Sequence, residues 1–247
     1  MSDDDRTRLG IERSLRIYYD DQRDTAAMDA LYARFVKPGD LVFDVGSHVG
    51  DRIAAFRRLG ARVVACEPNP SLVPTLRRLY GHDDMVTLEP VAVGAAAGAI
   101  DMRINTDNPT VSTASTEFVK ASQGAAGWEG QHWDKSIKVG MTTLDALIAR
   151  HGVPAFVKID VEGFEAEALA GLTQPVSALS FEFTTIQRDV AHACIARCHA
   201  LGYVRYNAAL GESQTLVHDE WQSAEAIGRW LDGLAVEANS GDVYALR

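Results

Sequence analysis

The chain has 247 residues, 24 Lys and Arg against 34 Asp and Glu, and a 47% hydrophobic share, a size suited to one sizeable core rather than two. Its formal charge of −10 removes the basic footprint that a phosphate-backbone binder needs, so nucleic acid is not an expected partner. Three cysteines (Cys66, Cys194, Cys198), an acidic Met-Ser-Asp-Asp-Asp start without a leader pattern, and no apolar run near the roughly 18 residues of a spanning helix predict a cytoplasmic protein with no membrane span.

Apolar residues recur at helical spacing through Leu9, Ile11, Leu15, Tyr18 and Tyr19, and again through Met28, Leu31, Tyr32 and Phe35. They predict two amphipathic helices within an N-terminal segment, 1–38, packed on the core. Tyr18, Tyr19 and Leu31, if exposed, offer a surface for a homodimer. Lys37-Pro38-Gly39-Asp40 stops the second helix, because Pro has no amide hydrogen and Gly accepts positive φ. A single domain is expected from there over 39–247.

Leu41-Val42-Phe43 ends in Asp44, and Arg62-Val63-Val64-Ala65-Cys66 ends in Glu67, each reading as a buried parallel strand closed by an acid. A helix over 51–60, with Ile53, Phe56 and Leu59 on one face, joins them into a βαβ unit. Helices at 71–80, 144–150, 165–172 and 190–201 alternate with strands at 86–88, 155–159, 179–183, 203–206 and 243–246. This alternation predicts an α/β, doubly wound sheet. The stretch 94–141 breaks the rhythm and reads as a hairpin-like insertion or lid, with strands near 100–104 and 137–141. Trp128, His132 and Trp133 within it either close over a substrate or anchor the loop to the core.

Chemistry-bearing residues gather at the strand ends. In Asp44-Val45-Gly46-Ser47-His48-Val49-Gly50 the glycines let the backbone approach a ligand ahead of a helix N-terminus. The turn lacks G-x-G-x-x-G, which argues against a dehydrogenase pyrophosphate site. Asp44 there suggests a cationic or amine-bearing ligand. Glu67, about twenty residues on, is placed to accept from both hydroxyls of a ribose, although Pro68-Asn69-Pro70 is also turn chemistry that an acid can cap. In Lys158-Ile159-Asp160-Val161-Glu162-Gly163, alternation sends Lys158, Asp160 and Glu162 to one side and Ile159 and Val161 to the other.

These stretches resemble the FkbM-type S-adenosylmethionine-dependent methyltransferases: 44–50 is similar to their D-V-G-A-N-x-G turn, Glu67-Pro68-Asn69 to their E-P-N strand end, and 158–165 running into Leu169-Ala170-Gly171 to their K-I-D-x-E-G-x-E segment. Thr143-Leu144-Asp145 also resembles the family. The resemblance implies a class I, Rossmann-like sheet of seven strands in the order 3-2-1-4-5-7-6, the seventh antiparallel at 243–246. It implies that Asp44, Gly46, Ser47, His48 and Gly50 hold the methionine end of S-adenosyl-L-methionine, and Glu67, Pro68 and Asn69 the ribose. Val91 and Ala92 would then flank the adenine, with Asp160 and Glu162 near the sulfonium and acceptor. Ser47 and His48 stand where Ala and Asn are usual, and His48, titrating near neutrality, would make cofactor affinity depend on pH.

The expected reaction is in-line methyl transfer to a hydroxyl of a small molecule such as a sugar, lipid or polyketide, with Asp160 as first candidate base, His132 as second and Lys158 orienting Asp160. No metal is assigned. Asp160, Glu162 and Glu182 would suit magnesium or calcium, but acids at a strand edge usually pair with bases or bind hydroxyls. His192, Cys194, Cys198 and His199 read as helix-face residues, with the cysteines as small buried hydrophobes. Two alternatives stay open: a nucleotide-dependent oxidoreductase, and a non-catalytic cofactor-binding module.

Overall fold

The computed structural model describes residues 2–20 and 25–247. Positions 21–24, within the predicted N-terminal segment, lie outside the described residues. α1 (Asp3–Leu15) starts on a capping box in which the Ser2 side chain and Asp5 satisfy each other's backbone N–H groups. It runs on as a wider π-type turn over Arg16–Asp20, and α2 is Thr25–Tyr32.

The remaining elements follow as β1 (Leu41–Val45), α3 (Asp51–Arg58), β2 (Arg62–Cys66), α4 (Val73–Tyr80), β3 (Val86–Glu89), β4 (Ala92–Val93), β5 (Gly98–Ile104), α5 (Thr116–Ser122), β6 (Lys135–Thr142), α6 (Leu144–His151), β7 (Phe156–Ile159), α7 (Glu165–Ala170), β8 (Ala178–Thr184), α8 (Arg188–Ala200), β9 (Arg205–Leu210), α9 (Ala224–Asp232) and β10 (Ser240–Leu246).

Seven strands form one sheet in the order β3-β2-β1-β7-β8-β10-β9, and β4-β6-β5 form a smaller one. β10 runs antiparallel to both neighbours while β1, β2, β3, β7 and β8 are parallel. That is the sheet order expected from the resemblance, with the reversed strand where it was placed. β1 and β7 are buried at every position because helices cover both faces. One face packs Phe43, Val45, Val157, Ile159 and Phe181 against α6, α7 and α8. The other packs Val42, Phe156 and Tyr244 against Tyr32 and Phe56.

Differences from the sequence reading have local causes. The strand expected at 203–206 begins at Arg205, because Tyr203 is buried and its hydroxyl accepts the Val176 N–H at 3.0 Å. α9 is absent from the sequence reading, although Ile227, Trp230 and Leu231 recur at helical spacing. A Cβ on Gly228 would lie 3.3 Å from the His192 ring, so the missing side chain lets α8 and α9 approach. Leu31, read as a dimer contact, is 4% exposed and belongs to the chain's own core. Cys194 and Cys198 are buried in the main core cluster, as hydrophobes would be.

Phe156 is fully buried, stacked on Phe35 at 5.2 Å and edge-on to Tyr32 at 5.8 Å. We expect Phe156→Ala to lower the unfolding free energy by about 3–5 kcal/mol in urea titrations, the range for truncating a buried aromatic.

Candidate active site

β1 ends in a turn that only glycine can make. Gly46 sits at φ +88, and a Cβ there would lie 1.7 Å from the Asp160 carbonyl oxygen of the neighbouring strand end. Gly50, at φ +89, leaves room for the Tyr80 ring, whose hydroxyl donates to the Gly50 carbonyl at 2.6 Å. Between them Gly46 and Ser47 donate backbone N–H groups to the Cys66 carbonyl, tying the turn to β2.

Glu67 completes that tie. Its carboxylate accepts the His48 N–H and the Asn69 N–H, each at 2.8 Å, so one side chain joins the glycine turn to the Pro68-Asn69-Pro70 turn. Burial raises its pKa to about 7 against the pull of those two N–H groups. Burial moves His48 the other way, to about 4. Glu67, tied to this turn, and Asp44 within it are thus drawn up toward neutrality while His48 moves away from it. The His48 ring meets Tyr18 edge-on at 5.4 Å and lies 3.3 Å from the Thr110 hydroxyl.

A second group forms where β7 and β8 end. The Lys158 ammonium, 2% exposed, donates to Asp160 Oδ2 at 2.6 Å. Burial alone would raise Asp160, but Lys158 beside it outweighs burial and holds the carboxyl below the ordinary range. Carboxylate oxygens of Asp160, Glu162 and Glu182 lie within 4.8 Å of one another. Burial and then their neighbours' charge push Glu162 and Glu182 well above the usual range. Asp160 thus gives up its proton before Glu162 and Glu182 do. Glu165 holds the loop beneath by accepting the Val161 and Gly163 N–H groups.

Both groups face one cavity of about 260 Å³. Its mouth is built by parts outside the large sheet. Arg6 on α1 pairs with Asp107 and Asp134, and Lys135 pairs with Asp3, pinning α1 to the insertion. Tyr18 then borders the cavity, while Tyr19 donates to the Val49 carbonyl at 3.0 Å. In the insertion, Trp133 donates to the Val111 carbonyl at 2.8 Å and Phe118 packs edge-on to both Trp128 and Trp133. Trp133 therefore anchors the loop, whereas Trp128 packs and also lines the cavity.

Of the residues singled out in the sequence, the cavity is lined by Gly46, Ser47, His48, Glu67, Pro68, Val91, Ala92, Lys158, Asp160 and Glu162. Asp44 lies behind the wall, 1% exposed, with neither carboxylate oxygen partnered among the described residues, and burial raises it to about 6 despite Lys158. Gly50 and Asn69 shape the turns without lining the space. His132 is exposed and outside the lining, so the structure does not bring it to the site as a base. Sequence reasoning missed Arg52, Glu212 and Asn239, which reach the cavity from segments carrying no motif, and took Tyr18, which also lines it, for a dimer surface.

A seven-stranded sheet with one reversed strand, a glycine turn closing β1 and an acid closing β2 at the same cavity define a class I methyltransferase architecture. Residues 44–204 match the methyltransferase FkbM domain model, and the chain belongs to that family. It is 28% identical over 155 residues to the hexuronic acid methyltransferase AglP of Haloferax volcanii, covering 61% of this chain and 57% of that protein. It is 28% identical over 158 residues to the 31-O-demethyl-FK506 methyltransferase FkbM of Streptomyces tacrolimicus, covering 56% of this chain and 61% of that one. The chain thus spans less than two thirds of either relative. Among solved structures, a TehB-like SAM-dependent methyltransferase from Corynebacterium glutamicum is 10% identical with a TM-score of 0.49, covering 95% of this chain and 93% of that one. Among the described residues no helix is long and apolar enough to cross a membrane.

Two outcomes follow from the burial of these charges. Lys158→Met removes the partner of Asp160 and leaves buried acids uncompensated, so a loss of about 3–5 kcal/mol is expected in chemical denaturation. The unfolded chain releases the Glu67 proton near 4.5 and the folded chain keeps it to about 7, so over that interval Glu67 makes stability fall as pH rises. Urea titrations at several pH values should find that fall shallower in Glu67→Gln.

Proposed function

We propose that the chain is an S-adenosylmethionine-dependent methyltransferase that methylates a hydroxyl of a small molecule. The observation that carries this reading is the pairing, across one cavity, of Glu67 beside the glycine turn with the Lys158-bound Asp160 at the β7 edge. Membership of the FkbM family supports it, as do the two curated relatives.

The residues present suit that cofactor. The lining is rich in acceptors, Glu67, Asp160 and Glu162 among them, for a ligand that presents ribose hydroxyls, an amine and a sulfonium. Val91, Ala92, Val93 and Val139 give an apolar wall for adenine. Asp44, buried without a donor, adds negative potential behind the turn. When bound, the cofactor supplies an electrophilic methyl group for in-line displacement.

The chain's own part is largely positioning. Gly46 lets the backbone come close, Glu67 receives the ribose hydroxyls, and Lys158 fixes the direction of the Asp160 carboxylate. Asp160, held below the ordinary carboxyl range by Lys158 while burial pushes Glu162 and Glu182 above it, takes the proton leaving the acceptor hydroxyl. The low pKa of Asp160 makes it a modest base, so the proton moves as the new C–O bond forms rather than before it. A homodimer would need a surface other than Leu31, which is buried in the chain's own core.

Calorimetry with S-adenosylmethionine and S-adenosylhomocysteine tests the reading. Micromolar-range binding by the wild type and its loss in Glu67→Ala are expected; absence of binding by the wild type would overturn it. Ionised Glu67 is the better ribose acceptor, so affinity should rise up to roughly tenfold from pH 6 to pH 8 as it loses its proton near 7. His48→Asn should keep that rise, and Glu67→Gln should reduce it to the part that Asp44, raised to about 6, contributes.

A further inference from the structure

Beyond the groups assigned to the cofactor, the cavity contains polar atoms that the protein leaves unmatched. Trp128 Nε1, Asn239 Oδ1 and Glu182 Oε2 are buried without a hydrogen-bond partner among the described residues, and all three residues line the cavity. Trp128 Nε1 donates, Asn239 Oδ1 accepts, and the Glu182 carboxyl, held well above the ordinary range by burial, can do either. The loop before Trp128 and Asn239 come from distant parts of the chain yet approach one another, since a Cβ on Gly127 would stand 3.5 Å from Asn239 Oδ1.

Each group is held in place from behind. Trp128 is 8% exposed, with the Phe118 ring edge-on at 4.9 Å fixing its plane. Asn239 has φ 61 and ψ −75, the region of a rare and strained γ-turn. Its carbonyl accepts from the Thr185 N–H at 2.7 Å and the Thr185 hydroxyl at 3.1 Å. Strain of this kind persists where surrounding contacts over-determine it, as at ligand clamps.

Charge narrows what fits. The two cations of the lining are already engaged, Arg52 by Asp51 at 2.5 Å and Glu212 at 2.8 Å, and Lys158 by Asp160 at 2.6 Å. A carboxylate can only accept hydrogen bonds, and it would meet the Asn239 oxygen and the Asp160 carboxylate in the same lining with no unengaged ammonium or guanidinium among the described residues there. A hydroxyl both donates and accepts, so it can satisfy Trp128 and an oxygen together. The flat indole adds an apolar platform for a ring.

We infer that Trp128, Asn239 and Glu182 seat the methyl acceptor, with the Trp128 indole N–H donating to one of its oxygens, and that this seat takes an uncharged hydroxyl-bearing ring and turns away a carboxylated one. The inference rests on the methyltransferase reading and names the chemistry of its acceptor. It separates this chain from its relative AglP, whose name specifies a hexuronic acid.

The four tryptophans each give one indole N–H resonance, and Trp128→Phe identifies that of Trp128 while keeping an aromatic face. In the wild-type chain without cofactor, methyl glucoside or methyl rhamnoside, titrated to about 100 mM, should shift this resonance saturably, and glucuronate at equal ionic strength should not. In Trp128→Phe, saturation transfer to the neutral sugar should fall at least about fivefold, the loss expected for one hydrogen bond. S-adenosylhomocysteine affinity should stay within about twofold, showing that the variant is folded. A glucuronate shift as large as that of the neutral sugars, no shift with either neutral sugar, or unchanged saturation transfer in the variant would overturn the inference. Failure of the wild type to bind S-adenosylhomocysteine would instead overturn the methyltransferase reading, which the cofactor-free titration does not depend on.

Discussion

The site depends on one buried cation. Lys158 sits in the middle of the sheet with almost no exposure, and around it stand Asp44 in the adjacent register position, Asp160 two residues on, and Asp242 on β10. Burial alone would drive the ammonium to lose its proton, yet the surrounding acids keep it charged. That charge holds Asp160 below the ordinary carboxyl range while burial pushes Glu162 and Glu182 above it. Without it, Asp160, Glu162 and Glu182 would share protons according to mutual repulsion alone, and no single one would be fixed as the acceptor of a further proton.

The sheet turns this arrangement into a site. In β7, alternate residues point to opposite faces, so Ile159 enters the large apolar core while Lys158 faces the side closed by α2 and α3. The close approach of Gly46 to the Asp160 carbonyl brings the β1 turn against the β7 end. Glu67 then draws the β2 end to the same place through two backbone N–H groups. Three strand ends are thus locked to one another by backbone contacts, and the cavity lies over the junction, as is usual at the carboxyl edge of an open α/β sheet.

The sheet and the floor of the site were legible in the sequence because their signals are local. Apolar runs closed by Asp44 and Glu67 marked two buried strands, and alternation in 158–163 sorted charged from apolar side chains before any contact was known. The walls were less legible. Tyr18 reaches His48 only because α1 is carried across the cavity by pairs with residues about a hundred positions away, and Asn239 meets the Trp128 loop across a similar distance. No periodicity encodes such meetings. His132 was drawn toward the site by its chemistry and its neighbours, yet the anchoring of Trp133 and Phe118 leaves it facing outward. His48 was misjudged for a related reason: a sequence displays the imidazole but not the burial that suppresses its charge.

The two kinds of ion pair around the cavity also differ in their exposure to dissolved salt. Arg6 with Asp107 and Asp134, and Lys135 with Asp3, stand partly in water, where mobile ions within a Debye length of about 8 Å at physiological strength compete for each charge. The Lys158 to Asp160 pair is shielded from that competition by the surrounding side chains. A brine would therefore loosen the hold of α1 on the insertion while leaving the floor intact, so the rim and base of one cavity would respond separately to the ionic composition of their surroundings.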